Sequence, residues 1–192
     1  MNLPNQLTVL RLLLSVLFVI VFYSSGFAAA AAALFLFVLA ALTDWADGYL
    51  ARRYGLITVF GKIMDPVADK VMTLSAFFAL ASEGFFPFLL VVLVALREIV
   101  VTVSRIFRVT KGQVIPAETL GKLKTVIQMG TIMLALLIRL FARQATGSAG
   151  NFGFLWIFML NMLMIIVVTL TIVSGIEYFR RLDSVSVRHT HD

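Results

Sequence analysis

The sequence predicts an all-α, polytopic membrane protein: six transmembrane helices with a short N-terminal interfacial segment. Three observations carry this prediction. Of the 192 residues, 61% are hydrophobic and only 14% charged, too apolar a balance for an ordinary soluble domain. Apolar runs long enough to approach the thickness of a bilayer recur along the whole chain. The polar residues between them form stretches of no more than about two dozen residues, which leaves one membrane domain over 1–192 and no separate soluble one. Cysteine is absent, which excludes disulfides and thiolate metal ligands and leaves the compartment open. The net charge of +6 fits basic loops beside membrane spans better than a nucleic-acid partner.

The opening ten residues, MNLPNQLTVL, carry no basic side chain before Arg11 and so lack the charged start of a secretory signal. Pro4 suits the first turn of a helix, with Asn2 or Asn5 near its start. The first span covers 12–23 with the residues just before it, and Ser24, Ser25 and Gly26 turn the chain. Ala28 to Ala33 resembles a signal-peptidase site, but the apolar run continues through Leu42, which favours a second span from Phe27. Its alanines let a neighbouring helix approach closely. A short connection through Gly55 leads to a third span over 62–81. Ser82, Glu83, Gly84 and Pro87 make the next turn, and a fourth span covers 88–107. Polar residues gather over 108–125, broken by Gly112 and Pro116. The fifth span is 126–141 and the sixth 154–176, followed by a polar cytoplasmic tail over 178–192.

Six spans place both termini on one side of the membrane. Of the 16 lysines and arginines, all but Arg139 and Arg143 fall on that same side, so the termini are expected in the cytoplasm. Trp45, Trp156 and Tyr178 read as anchors at the membrane interface. His189 and His191 have a metal-like spacing, but in a short polar tail they read as solvated.

Thr43 to Lys70, TDWADGYLARRYGLITVFGKIMDPVADK, places four aspartates beside or within two strongly apolar segments. Ionisable groups at membrane depth cost several kcal/mol, so they pair, face a polar cavity or bind ions. At 100° per residue, Asp44, Asp47, Gly48 and Ala51 share one narrow helical stripe; Gly61, Asp65 and Asp69, spaced by four, share another. The short connection makes the two helices expected neighbours whose stripes can meet. Four close carboxylates cannot all stay ionised without counter-charge, so either some are protonated or metal ions lie between them. Oxygen-only ligands favour magnesium or manganese, and two such ions about 4 Å apart suit phosphoryl chemistry. Gly48 and Ala51 leave room for a ligand, and the planar fork of Arg52 can reach phosphate oxygens.

Plainer readings exist for each acid. Asp44 and Asp47 can pair with Arg52 or Arg53 at the interface. Asp65, before Pro66, can start a helix, and Asp69 can form a structural pair with Lys70. None of these explains why the small residues share the same stripes.

Taken together, Asp44-x2-Asp47-Gly48-x2-Ala51-Arg52-x8-Gly61-x3-Asp65-x3-Asp69 resembles the signature of the CDP-alcohol phosphotransferase family at every fixed position. The resemblance implies a six-span enzyme of the bacterial inner membrane, commonly a homodimer, with its site open to the cytoplasm. It further implies that Asp44, Asp47, Asp65 and Asp69 hold two divalent cations, Mg2+ or Mn2+, and that Asp69 is also the general base. Asp47, Gly48, Ala51, Arg52 and Gly61 would then surround the cytidine diphosphate.

Outside the signature, Asn2-x-Pro4-Asn5-x2-Thr8-x2-Arg11, the pair Arg97-Glu98 followed by Ile99, and Gly121-Lys122-Leu123-Lys124-Thr125 with Gln128 resemble the bacterial branch that joins CDP-diacylglycerol to glycerol 3-phosphate. The cardiolipin-forming branch shares the opening and the Gly-Lys segment but usually has Arg-Asp in place of Arg97-Glu98. Relatives that transfer inositol phosphate stay as a further alternative. Glycerol 3-phosphate is a dianion, so its pocket needs cations, and Arg97, Arg105, Arg108, Lys122 and Lys124 are the candidates. Interfacial Lys and Arg also snorkel or bind lipid headgroups, which is the plainer reading of each. Glu98 reads as a buried partner of Arg97. A cation-coupled transporter and a membrane scaffold without turnover are readings of other classes; the transporter predicts acids near the bilayer midplane and an internal repeat.

Overall fold

A computed structural model describes residues 3–54, 59–110, 119–144 and 150–188. The fold is all-α. Among the described residues six helices follow one another: α1 Leu3–Phe22, α2 Phe27–Tyr54, α3 Val59–Ser82, α4 Phe88–Thr110, α5 Thr119–Gln144 and α6 Gly150–Arg188.

The leading segment forms the first turns of α1, with Pro4 in the opening turn, where its missing N–H would be unpaired in any case. α1 ends before Gly26, whose φ of 99° lies in the left-handed region that favours glycine. α3 ends more elaborately. The amide of Gly84 donates to Ala81 O (3.0 Å) and that of Phe85 to Leu80 O (3.1 Å), with Gly84 at φ 83°, the pattern of a Schellman cap. Pro87 then opens α4, its carbonyl accepting from the amides of Leu90 and Val91.

The helices close into a ring in the order α1, α2, α5, α6, α4, α3, with α3 and α5 touching across the middle. α1 therefore stands between α2 and α3, and those two helices meet only slightly. The two helices are in contact as expected, and α1 packs against both more extensively. The alanines of α2 explain how, because Ala30, Ala33 and Ala40 are buried and let α1 approach closely. Phe18 of α1 packs against Phe37 of α2 at 6.3 Å between ring centroids. The core continues through Phe77 and Leu80 of α3, Ile132 and Leu136 of α5, and Leu160 of α6.

Large apolar side chains also face outward. Leu93, Leu96 and Val103 on α4 and Phe154, Ile165 and Ile172 on α6 are all exposed, the inverted surface a bilayer requires. Among the described residues, three helical segments are long and apolar enough to cross a membrane, Phe27–Ala46, Leu120–Arg143 and Gly153–Arg181, with a shorter apolar helix at Gln6–Phe22.

Two expected boundaries move. α5 begins at Thr119, inside the stretch read as a polar connection, and α6 runs to Arg188, through most of the stretch read as a tail. Tyr178 is accordingly no interface anchor. It is 2% exposed, and its hydroxyl donates to Ser104 Oγ at 3.2 Å. Trp45, 68% exposed, keeps the outward position expected of an anchor. His189 and His191 lie outside the described residues.

Candidate functional site: an acidic centre beside a cationic cavity

The acidic centre is built from three helices. Asp44 lies toward the C-terminal end of α2, Asp65 and Asp69 lie one helical turn apart in the first half of α3, and α1 reaches both. Arg11 Nη1 stands 2.7 Å from Asp44 Oδ1, and Thr8 Oγ1 donates to Asp65 Oδ1 at 2.5 Å. Thr8 and Arg11 are three residues apart, so a single face of α1 serves both carboxylates. Both residues are buried, Arg11 to 1% exposure, whereas the Asp44 side chain is 50% exposed. An arginine fixed in the core thus holds a carboxylate at the mouth of the site. Asp65 and Asp69 lie near enough for their charges to act on Asp44.

Asp65 sits inside α3 and is no helix-start residue. Asp69 does pair with Lys70, whose Nζ lies 2.7 Å from Asp69 Oδ2. Gly61 is buried and Gly48 half-buried. Ala51 and Arg52 belong to the last turns of α2, but their side chains and that of Asp47 lie outside the described part. Among the described residues, no three Asp, Glu, His or Cys side chains converge on one point. The donor set of Asp44, Asp65 and Asp69 is nonetheless purely carboxylate, brought together from two helices, and suits a hard divalent cation. Asp47, one turn from Asp44 on the same stripe, would supply the fourth carboxylate.

Lys70 faces two ways. Its Nζ also lies 3.1 Å from Glu98 Oε2, and Glu98 in turn pairs with Lys124 and with Arg97 Nη1 at 3.3 Å. Glu98 is buried at 1% exposure, and three cations around it supply the compensation that a buried carboxylate requires. Around this knot lies a cavity of about 400 Å³ lined by Lys70, Arg97, Arg105, Lys122 and Lys124, with Glu98 as its acid and Gly121 and Tyr178 in its wall. Five cations facing one carboxylate leave a strongly positive pocket.

Four of the five cations singled out from the sequence therefore share one cavity, and Arg108 is not among its lining residues. The structure adds Lys70, which the sequence offered only as a partner of Asp69. The contacts of Thr8 and Arg11 with the acids were also unassigned, although their spacing of three on one helix face was visible.

The apolar ring and its site define the class: a polytopic helical membrane protein whose polar end joins an acidic centre to a cationic pocket of a size for a small phosphorylated ligand. The chain belongs to the CDP-alcohol phosphatidyltransferase family, which it matches over residues 1–176. It is similar to a CDP-diacylglycerol–glycerol-3-phosphate 3-phosphatidyltransferase of Rickettsia typhi, 33% identical over 180 residues, covering 93% of this chain and 96% of the relative. The enzyme of that name from Bacillus subtilis is 33% identical over 192 residues, covering 94% of each. A probable phosphatidylglycerophosphate synthase of Mycobacterium tuberculosis is 38% identical over 183 residues, covering 94% of this chain and 81% of its own.

Proposed function

We propose that this chain transfers the phosphatidyl group of CDP-diacylglycerol to glycerol 3-phosphate, giving phosphatidylglycerophosphate and CMP. The observation that carries the reading is the position of Lys70, paired with Asp69 on one side and with Glu98 on the other. On this reading the proposed base and the proposed dianion pocket would lie side by side, which supports transfer to a phosphorylated alcohol. The names of the relatives point the same way.

In the proposed reaction, Arg97, Arg105, Lys122 and Lys124 receive the phosphate of glycerol 3-phosphate. Glu98 holds Lys70, Arg97 and Lys124 together against their mutual repulsion. Asp69 takes the proton of the 1-hydroxyl, and that oxygen forms a bond to the phosphorus next to the diacylglycerol. The bond from that phosphorus to the oxygen of CMP breaks, and CMP leaves with the electron pair. Asp44, Asp47, Asp65 and Asp69 would hold the divalent ions, whose chemistry is to neutralise pyrophosphate charge. Asp47, Gly48, Ala51, Arg52 and Gly61 would surround the cytidine diphosphate, the guanidinium of Arg52 being suited to its phosphates. Arg11 and Thr8 fix the carboxylates of Asp44 and Asp65 from the core side.

The same reading makes 1–192 one domain that crosses a bacterial inner membrane six times as a homodimer, with termini and site in the cytoplasm. Asp44 lies close to the end of the apolar segment Phe27–Ala46, which favours a site at the membrane surface over a midplane ion path. Asp69→Asn in purified protein is expected to abolish CMP release from CDP-diacylglycerol plus glycerol 3-phosphate. Near-normal turnover would remove Asp69 as the base. The lipid product formed when glycerol 3-phosphate, phosphatidylglycerol and inositol phosphate are offered in parallel checks the acceptor; product from either of the other two in preference would overturn the assignment.

A further inference from the structure

The sixth helix carries none of the motifs read from the sequence, and Tyr178 is its one residue in the cavity wall, yet it also holds Arg97, a second wall residue, from behind. Arg97 leaves α4 and crosses the backbone of α6 at Gly175. A Cβ added there would lie 3.2 Å from Arg97 Nε and 3.4 Å from its Cγ, closer than side chains comfortably pack. Immediately before it, Ser174 Oγ accepts from Arg97 Nη2 at 2.9 Å while donating to Leu170 O at 2.6 Å. Ser174 is wholly buried, so this bond has little water to compete with it. On its other nitrogen Arg97 is held by Glu98.

We infer that Ser174 and Gly175 are positioning residues for the acceptor: the missing side chain at 175 and the hydroxyl at 174 form a slot on α6 that aims the Arg97 guanidinium into the cationic cavity. This rests on the reading of that cavity as the glycerol 3-phosphate site. The slot explains a glycine at a buried position of α6, where alanine would favour the helix by propensity. It also gives α6 a part in recognising the acceptor, at a distance from the acidic centre on α2 and α3.

Steady-state kinetics of Gly175→Ala, Gly175→Val, Ser174→Ala and Arg97→Ala, with each substrate varied in turn, test the slot. All four are expected to raise the KM for glycerol 3-phosphate with the KM for CDP-diacylglycerol unchanged. The rise is about threefold to tenfold for the α6 variants and about tenfold or more for Arg97→Ala. Gly175→Ala should unfold no earlier than the parent protein, so a purely structural role would leave its KM where it was. If Arg97→Ala raises the acceptor KM and Ser174→Ala and Gly175→Ala do not, the slot is overturned while the acceptor reading stands. If Arg97→Ala itself leaves that KM unmoved, the acceptor reading falls and the slot falls with it. Should Gly175→Val fail to fold, Ser174→Ala and Gly175→Ala decide.

Discussion

Arg139 is buried to 2% exposure at the end of the ring away from the acids, and every contact it makes joins a different element. Its Nε and Nη2 meet the two carboxylate oxygens of Glu83, both at 2.7 Å. Nη2 also donates to Phe22 O at 2.6 Å, satisfying a carbonyl at the end of α1. The guanidinium lies 3.9 Å from the centre of the Phe22 ring, a cation–π distance. Arg139→Ala leaves the Phe22 carbonyl without its donor and Glu83 with Arg143 alone, and should lower stability by about 1–3 kcal/mol, read as thermal unfolding in detergent. Glu83 adds a pH signature. Burial alone would raise its carboxyl, but the hydrogen bonds and charge of Arg139, with Arg143 beyond, hold it below the usual carboxylate range. The folded state thus binds this proton more weakly than the unfolded chain. Its contribution is complete above the ordinary carboxylate value and fades as the pH falls through the lowered one. Glu83→Gln should therefore flatten the acid side of the stability profile; parallel acid profiles for the two proteins would contradict this. None of it was legible beforehand. Glu83 reads as a turn residue and Arg139 as one of two stray cations, because no local pattern couples positions 56 residues apart.

Helix ends were legible where a residue type has one purpose. Gly84 closes α3 where the turn was expected, and it does so through a positive φ with open space around it. Gly84→Ala should then cost about 1–2 kcal/mol from backbone conformation alone, seen as a lower unfolding temperature with KM values unchanged. Boundaries were misread where a helix turns polar side chains inward. Lys122, Lys124 and Thr125 look like a connection by hydropathy, yet they belong to α5 and line the cavity. Tyr178 was misread for the mirror reason, since an aromatic beside a polar tail resembles an anchor until α6 continues and buries it. A helix that serves a site breaks the apolar rhythm by which membrane helices are recognised.

Across the whole molecule, helical spacing and charge are local properties, so the sequence could single out Asp44, Asp65 and Asp69 and the four cations that share the cavity. Their arrangement was not legible. Consecutive helices usually pack together, yet α2 and α3 each pack more against α1 than against one another, and Lys70 joins two groups of residues that the sequence presented separately. The acids also needed α1 to be read as part of the site, and only Thr8 and Arg11 show why.

The closed ring constrains the order in which such a chain can mature during synthesis. α1 emerges first and offers one flank to α2 and the other to α3, so the acidic centre can assemble while half the protein is still unmade. The cationic cavity cannot. Its walls come from α3, α4 and α5, and Tyr178 of α6 completes them, so the pocket is finished only when the last helix closes the circle between α5 and α4. A chain cut before α6 would keep the contacts of α1 with Asp44 and Asp65 and lack one wall of the cavity.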